Sequence, residues 1–152
     1  MIQKLPSGAR LRPWTPTDAP TLVALADDRA IWRNMRDQFP NPYTAANADF
    51  FLANVAPDSD RSLIRAIENA DGQVVGSVGL HFKADVSRRS AEVGYWLGRA
   101  HWGRGLATEA VRALADYALA TYDLARLYAV VFEWNPASGR VLEKAGFVLE
   151  AR

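Results

Sequence analysis

Cysteine is absent from the 152 residues, which excludes disulfides, thiolate metal sites and a covalent acyl-cysteine intermediate. Histidine occurs twice, at His81 and His101, without the spacing of a metal site, so neither is assigned a role and no metal is expected. Charge of one sign is not in excess. Lys and Arg number 18 against 17 Asp and Glu, so no global field points to nucleic acid or a membrane surface, and any basic site must be local. No run approaches the ~20 apolar residues of a membrane helix, and the start of the chain lacks an apolar leader with a small-residue cleavage site. A soluble, cytoplasmic protein is the expectation. Repeats, low-complexity tracts and interdomain linkers are also missing, and 152 residues suffice for one cored domain but not for two of typical size. A single domain over 1–152 follows.

What is present centres on a glycine turn. Residues 91–97 carry Val93, Tyr95, Trp96 and Leu97, which suit a strand, while Leu106, Ala110, Val111, Leu114, Tyr117 and Ala118 recur at helical spacing. Between them, Gly103 and Gly105 lack Cβ atoms and can point successive amides the same way, and the following helix adds the positive end of its dipole. The turn reads as a phosphate cradle, the alternative being a plain helix-capping turn. A phosphate-loop lysine is missing, and the third glycine of a dinucleotide fingerprint is replaced by Thr108.

Elsewhere, residues 9–14 alternate as an edge strand whose arginines, Arg10 and Arg12, are expected in solvent. Thr17, Asp18 and Pro20 start a helix with Leu22, Val23, Leu25 and Ala26 inward. A short helical piece is expected over 31–37, a break at Pro40 and Pro42, and then a helix capped by Thr44 with Phe50, Phe51 and Val55 inward. Trp32, Met35 and Phe39 in this stretch either wall a substrate pocket or pack a core. Residues 62–68 and 73–82 form a hairpin around Asp71 and Gly72, with Gly76 and Gly79 marking a close approach or bend. A charged loop over 83–90 leads to the strand before the glycine turn. The helix ends near Tyr122, 127–132 reads as a buried strand, and strand–helix–strand of this length demands parallel pairing, so the sheet is mixed. Pro136 opens a last helix with Val141 and Leu142 inward and Gly146 as its stop, after which 147–149 begins another strand.

Three separated segments resemble one family in the same order. Trp102, Gly103, Arg104, Gly105, Leu106 and Ala107 resemble the pyrophosphate loop, Gln/Arg-x-x-Gly-x-Gly/Ala, of the GNAT superfamily of acyl-CoA-dependent N-acetyltransferases, with Trp102 departing from the first position. Residues 91–97 resemble the strand that precedes that loop in the RimJ/RimL-like branch. Asn135 and Ser138, followed by Lys144, Gly146 and Phe147, resemble that branch's Asn-x-x-Ser and Lys-x-Gly-Phe segment. The resemblance implies an α/β fold with a mixed sheet, antiparallel at first and parallel across the glycine turn.

It also implies acetyl-CoA as co-substrate, held by Leu97 on an open strand edge, by Trp102, Gly103, Arg104, Gly105, Leu106, Ala107 and Thr108, and by Asn135 and Lys144. Asn135 is otherwise simply an N-cap. The family's acetyl transfer needs a base and a group facing the departing thiolate, for which Glu92 and Ser138 stand in the matching positions, their bland alternatives being a solvated glutamate and a capping serine. Many members use a tyrosine where this chain has Leu142, so that role does not carry over. Acceptors in the branch are primary amines, including ribosomal-protein N-termini, antibiotics and small amines. A catalytically silent acetyl-CoA sensor and a longer acyl-CoA donor remain the other readings. Resembling proteins continue into a further strand, which implies that this chain lacks the last one and either pairs the open edge with another copy or belongs to a longer product.

Overall fold

Six strands lie side by side in chain order among the residues that the computed structural model describes, 2–35, 39–131 and 135–150. Strands β1 (Gln3–Lys4), β2 (Arg10–Arg12), β3 (Ser62–Glu68), β4 (Val74–Phe82) and β5 (Ser90–Leu97) pair antiparallel in succession. Strand β6 (Arg126–Tyr128) runs parallel to β5, because the long helix between them must carry the chain back to the starting end of the sheet. The mixed sheet expected from the sequence is therefore present.

Helices cover both faces. Helix α4 (Leu106–Thr121) and α5 (Pro136–Lys144) lie on one, where Ala110, Val111 and Leu114 of α4 and Leu142 of α5 pack with Leu11, Val78, Leu80 and Val93 of the sheet. Helices α1 (Ala19–Ala26) and α3 (Ala45–Asn54) lie on the other, where Trp14, Leu22 and Ala48 meet Ile64 and Ala66. A short helix α2 (Arg29–Trp32) stands between them in the chain, started by the Asp28 carboxylate, which accepts from the Ala30 amide at 2.9 Å. Strand β3 is buried along its whole length because both faces are covered.

Several expectations are corrected. Arg12 is not solvated: its side chain is 17% exposed, and it donates to Glu68 at 2.6 Å and to both Asp18 oxygens at 2.9 Å. The register Arg10↔Glu68 brings both β2 arginines to one carboxylate, which Arg10 meets at 2.7 Å. Burial opposes ionisation of Asp18 and Glu68, yet the arginine hydrogen bonds overcome it and hold both below their ordinary values. Phe50 points outward, 64% exposed, because the inward stripe of α3 runs through Ala48 and Phe51, the latter edge-on to Trp14 at 5.8 Å. The strand expected over 127–132 is ordered as β6 only to Tyr128; Phe132 lies outside the described residues, as does Asp37 at the end of the expected 31–37 helix. No strand begins at 147–149. The Phe147 amide instead closes the end of α5 on the Leu142 carbonyl at 2.9 Å, and Val148 and Leu149 are exposed. The two-residue strand β1 carried no periodic signal in the sequence.

Candidate functional site

The site grows from the divergence of β5 and β6. Their rungs are Ser90↔Arg126, Ala91↔Leu127 and Glu92↔Tyr128, and beyond Glu92 strand β5 has no ladder partner on that side among the described residues. Alternation then sorts its side chains. Val93 and Leu97 enter the core under α4, with Tyr95 packed against it, while Trp96 joins the cluster under α1 and α3, the face that Glu92 and Gly94 share with it. The open edge is locked against β4 from behind. A Cβ on Gly76 would stand 2.2 Å from the Trp96 carbonyl oxygen, so only glycine permits this approach.

At the end of β5 the Gly98 amide donates to the Val75 carbonyl at 2.8 Å. Across a trans peptide C=O and N–H point opposite ways, so the Leu97 carbonyl faces away from β4, toward the gap. The Trp102 indole donates to that carbonyl at 2.9 Å. The sequence suggested an open edge at Leu97; the structure gives its carbonyl an indole partner, with one lone pair left for a ligand.

The turn then enters α4. Gly103 and Gly105 have φ of 76° and 78°, the left-handed region that disfavours side chains, and a Cβ on either would meet nothing within 4 Å. Space above the turn is therefore open to a ligand. The amides at the start of α4 have no partners earlier in the helix, and Arg104 stands exposed beside them, while Leu106 and Ala107 bury their side chains and can offer only backbone. Thr108 is half-buried. Glu109 in this first turn is occupied, accepting from the Ser7 hydroxyl at 2.5 Å and the Ser7 amide at 3.1 Å. The cradle fits an anionic diphosphate in shape and charge.

Glu92, 8% exposed, sits at the last rung before the gap, and Lys83 Nζ lies 3.7 Å from its carboxylate. Across the gap, α5 brings Ser138 to Tyr95, hydroxyl to hydroxyl at 2.5 Å. Asn135 caps α5, its side-chain oxygen accepting from the Ser138 amide at 3.4 Å. Lys144 lies exposed at the far end of that helix, where its carbonyl receives Arg112 of α4. Leu142 is a buried core residue. Trp32 lies in α2 under the Arg29 guanidinium, 5.7 Å from the ring centroid, and the Met35 amide donates to the Trp32 carbonyl at 3.0 Å.

Sequence reasoning missed the Tyr95–Ser138, Trp102–Leu97 and Lys83–Glu92 contacts. Period-two alternation could have placed Tyr95 on the α4 side with Val93 and Leu97; nothing local signals its partner 43 residues away. His101 is held below its ordinary value by burial and then by the charge of Arg104, which leaves it neutral at pH 7. It lines a polar cavity of about 400 Å³ with Arg12, Asp18, Thr21, Gln73 and Val74, whose principal charges already pair with each other. No group of three or more His, Asp or Glu among the described residues is placed to hold a metal, and none of their helices is long and apolar enough to cross a membrane.

The chain is similar to probable N-acetyltransferase YjcK of Bacillus subtilis, 44% identical over 78 residues, a match covering 51% of this chain and 43% of that protein. It thus spans about half the length of that curated relative and of others like it. It is also similar to the Escherichia coli spermidine N(1)-acetyltransferase, 29% identical over 93% of this chain and 73% of that protein. Among solved structures, Mycobacterium smegmatis RimJ in complex with CoA-disulfide superposes with a TM-score of 0.85 at 25% identity, covering 99% of this chain and 76% of that one. Residues 9–148 match the acetyltransferase (GNAT) domain, a stretch that contains the strand gap, the glycine turn and α5. The chain belongs to the GNAT acetyltransferase family.

Proposed function

We propose that this chain transfers an acetyl group from acetyl-CoA to a primary amine by direct attack in a ternary complex. The observation that carries the reading is the parallel β5–β6 pair that parts after Glu92 and ends in the doubly left-handed glycine turn at the start of α4. Acetyl-CoA supplies the activated acetyl thioester. Backbone amides from Gly103 to Thr108, with Arg104, hold its pyrophosphate; the edge of β5 beyond Glu92, up to Leu97, which no strand of the described residues covers, takes the amide-rich pantetheine as an added strand, and Asn135 faces it from α5. Trp102 shapes this entrance through its bond to Leu97. Glu92 receives the proton that the amine loses, directly or through one water, and Lys83 steadies the carboxylate. Ser138 faces the departing sulfur.

The acceptor class draws on relatives. Spermidine N(1)-acetyltransferase and the putative ribosomal N-acetyltransferase YdaF, 32% identical over 70% of this chain, both suggest a primary amine, on a polyamine or a protein N-terminus. A mass-spectrometric screen of polyamines, amino acids, aminoglycosides and ribosomal-protein N-terminal peptides with acetyl-CoA tests this. A mass gain of one acetyl on at least one amine is expected; CoA binding without product on any of them would turn the reading toward a sensor.

A further inference from the structure

Ser138 lies at the gap but is a weak acid, and by itself its hydroxyl is a free rotor. The structure restrains it. Tyr95, three residues past the last β5–β6 rung, reaches α5 with its hydroxyl 2.5 Å from the Ser138 Oγ and 3.4 Å from the Ser138 carbonyl oxygen. Either hydroxyl could donate by geometry, and the far greater acidity of a phenol than of an aliphatic alcohol favours Tyr95 as donor and Ser138 as acceptor. Ser138 then keeps its own proton for another partner. Burial raises Tyr95 above the ordinary tyrosine value, with the Ser138 hydrogen bond acting the other way, so the phenol stays protonated throughout the neutral range.

Building on the acetyl-transfer reading, we propose that Tyr95 is a positioning residue: it fixes the Ser138 hydroxyl with its proton directed into the β5–β6 gap, where a CoA thiolate forms. The balance is simple. The amine forms the new C–N bond and gives its proton to Glu92, the C–S bond breaks with its electron pair on sulfur, and the Ser138 O–H donates a hydrogen bond to that sulfur without losing its proton. Water later protonates the thiolate.

The test uses the full chain and the variants Tyr95→Phe, Ser138→Ala and their double. The first readout is the titration of the thiol of bound CoA, followed by ultraviolet absorbance of the thiolate. If Tyr95 acts through Ser138, each single variant raises the thiol's pKa by about one unit, the equivalent of a tenfold change, and the double variant raises it no further. CoA affinity by calorimetry stays within about twofold, and kcat falls about tenfold in both single variants without compounding, the scale of one hydrogen bond to a charged group. An unchanged thiol titration in Tyr95→Phe, or effects that multiply in the double variant, overturns the proposal. Should Tyr95→Phe not fold, fluorotyrosine incorporation keeps the shape and strengthens the phenol as a donor; the bound thiol should then titrate lower, and an unmoved titration overturns the idea. If the parent acetylates no amine, the acetyl-transfer reading falls, while the thiol titration still decides the role of Tyr95.

Discussion

Replacing Gly76 by alanine tests how closely β4 and β5 approach beneath the candidate site. The added Cβ would stand 2.2 Å from the Trp96 carbonyl oxygen, 2.8 Å from Leu97 Cδ2 and 2.9 Å from Leu97 Cα. Ordinary contact begins at 3.4 Å, so the carbonyl must retreat by more than an ångström, and two of the three obstacles are backbone that no rotamer change can move. Overpacking a core typically costs about 1–3 kcal/mol, and a backbone obstacle places this variant at the top of that range. For a chain of this size, about 3 kcal/mol corresponds to a fall of roughly 6–12 °C in Tm. Because Trp96 and Leu97 form the edge assigned to pantetheine, CoA affinity should fall with stability. Gly94→Ala is the control: it meets nothing within 4 Å and should leave stability unchanged or raise it by about 0.5–1 kcal/mol. Urea denaturation of the three proteins, with CoA calorimetry alongside, decides the matter. A Gly76→Ala midpoint equal to the parent's would refute the close approach.

Glu92→Gln should lower kcat by about 10²–10⁴-fold with acetyl-CoA binding retained, measured by initial rates on the best amine; turnover at the parent rate across the pH range would make the glutamate a bystander. Gly105→Glu should abolish measurable CoA binding, whereas Arg104→Ala should cost about 1 kcal/mol or less, since it removes one exposed charge. Asp18 and Glu68 have folded-state values below their unfolded ones, so the stability they contribute is full above the usual carboxylate range of about 4 and drains as pH falls through the lower folded values. Urea midpoints measured from neutral to acid should show that fall, and Arg12→Gln should flatten it; a parent midpoint constant through the acid range would contradict the assignment.

The parts of the fold that were legible in the sequence are those with local causes. Asp71 and Gly72 announce the β3–β4 hairpin, Thr44 caps α3, and the glycines at 103 and 105 place a turn before an amphipathic helix. The parts that were not legible depend on neighbours remote in the chain. Arg12 looks solvated on a strand read alone, and becomes half-buried only because β3 carries Glu68 alongside and Asp18 closes over it. A run as apolar as 127–132 reads as a full strand, yet ladder bonds need a partner, and among the described residues β5 pairs with it only as far as Tyr128. The same holds at the site. The cradle was readable as a motif, while the hydroxyl pair at Tyr95 and the indole on Leu97 arise from packing of α5 and of the turn, which no periodicity encodes.

The bond from Ser7 to Glu109 joins residues 102 positions apart, and it sets an order of events during synthesis. Ribosomes extend a chain at about 5–20 residues per second, so the loop carrying Ser7 waits roughly 5–20 s before the first turn of α4 exists to receive it. The partner of β2 is made earlier, in β3, and Gly8 lies beside Ala70 of the β3–β4 turn, so what waits for the first turn of α4 is the Ser7 bond itself. A nascent chain halted before Glu109 lacks this bond, so the Ser7 amide should exchange its hydrogen faster there than in a chain released past α4.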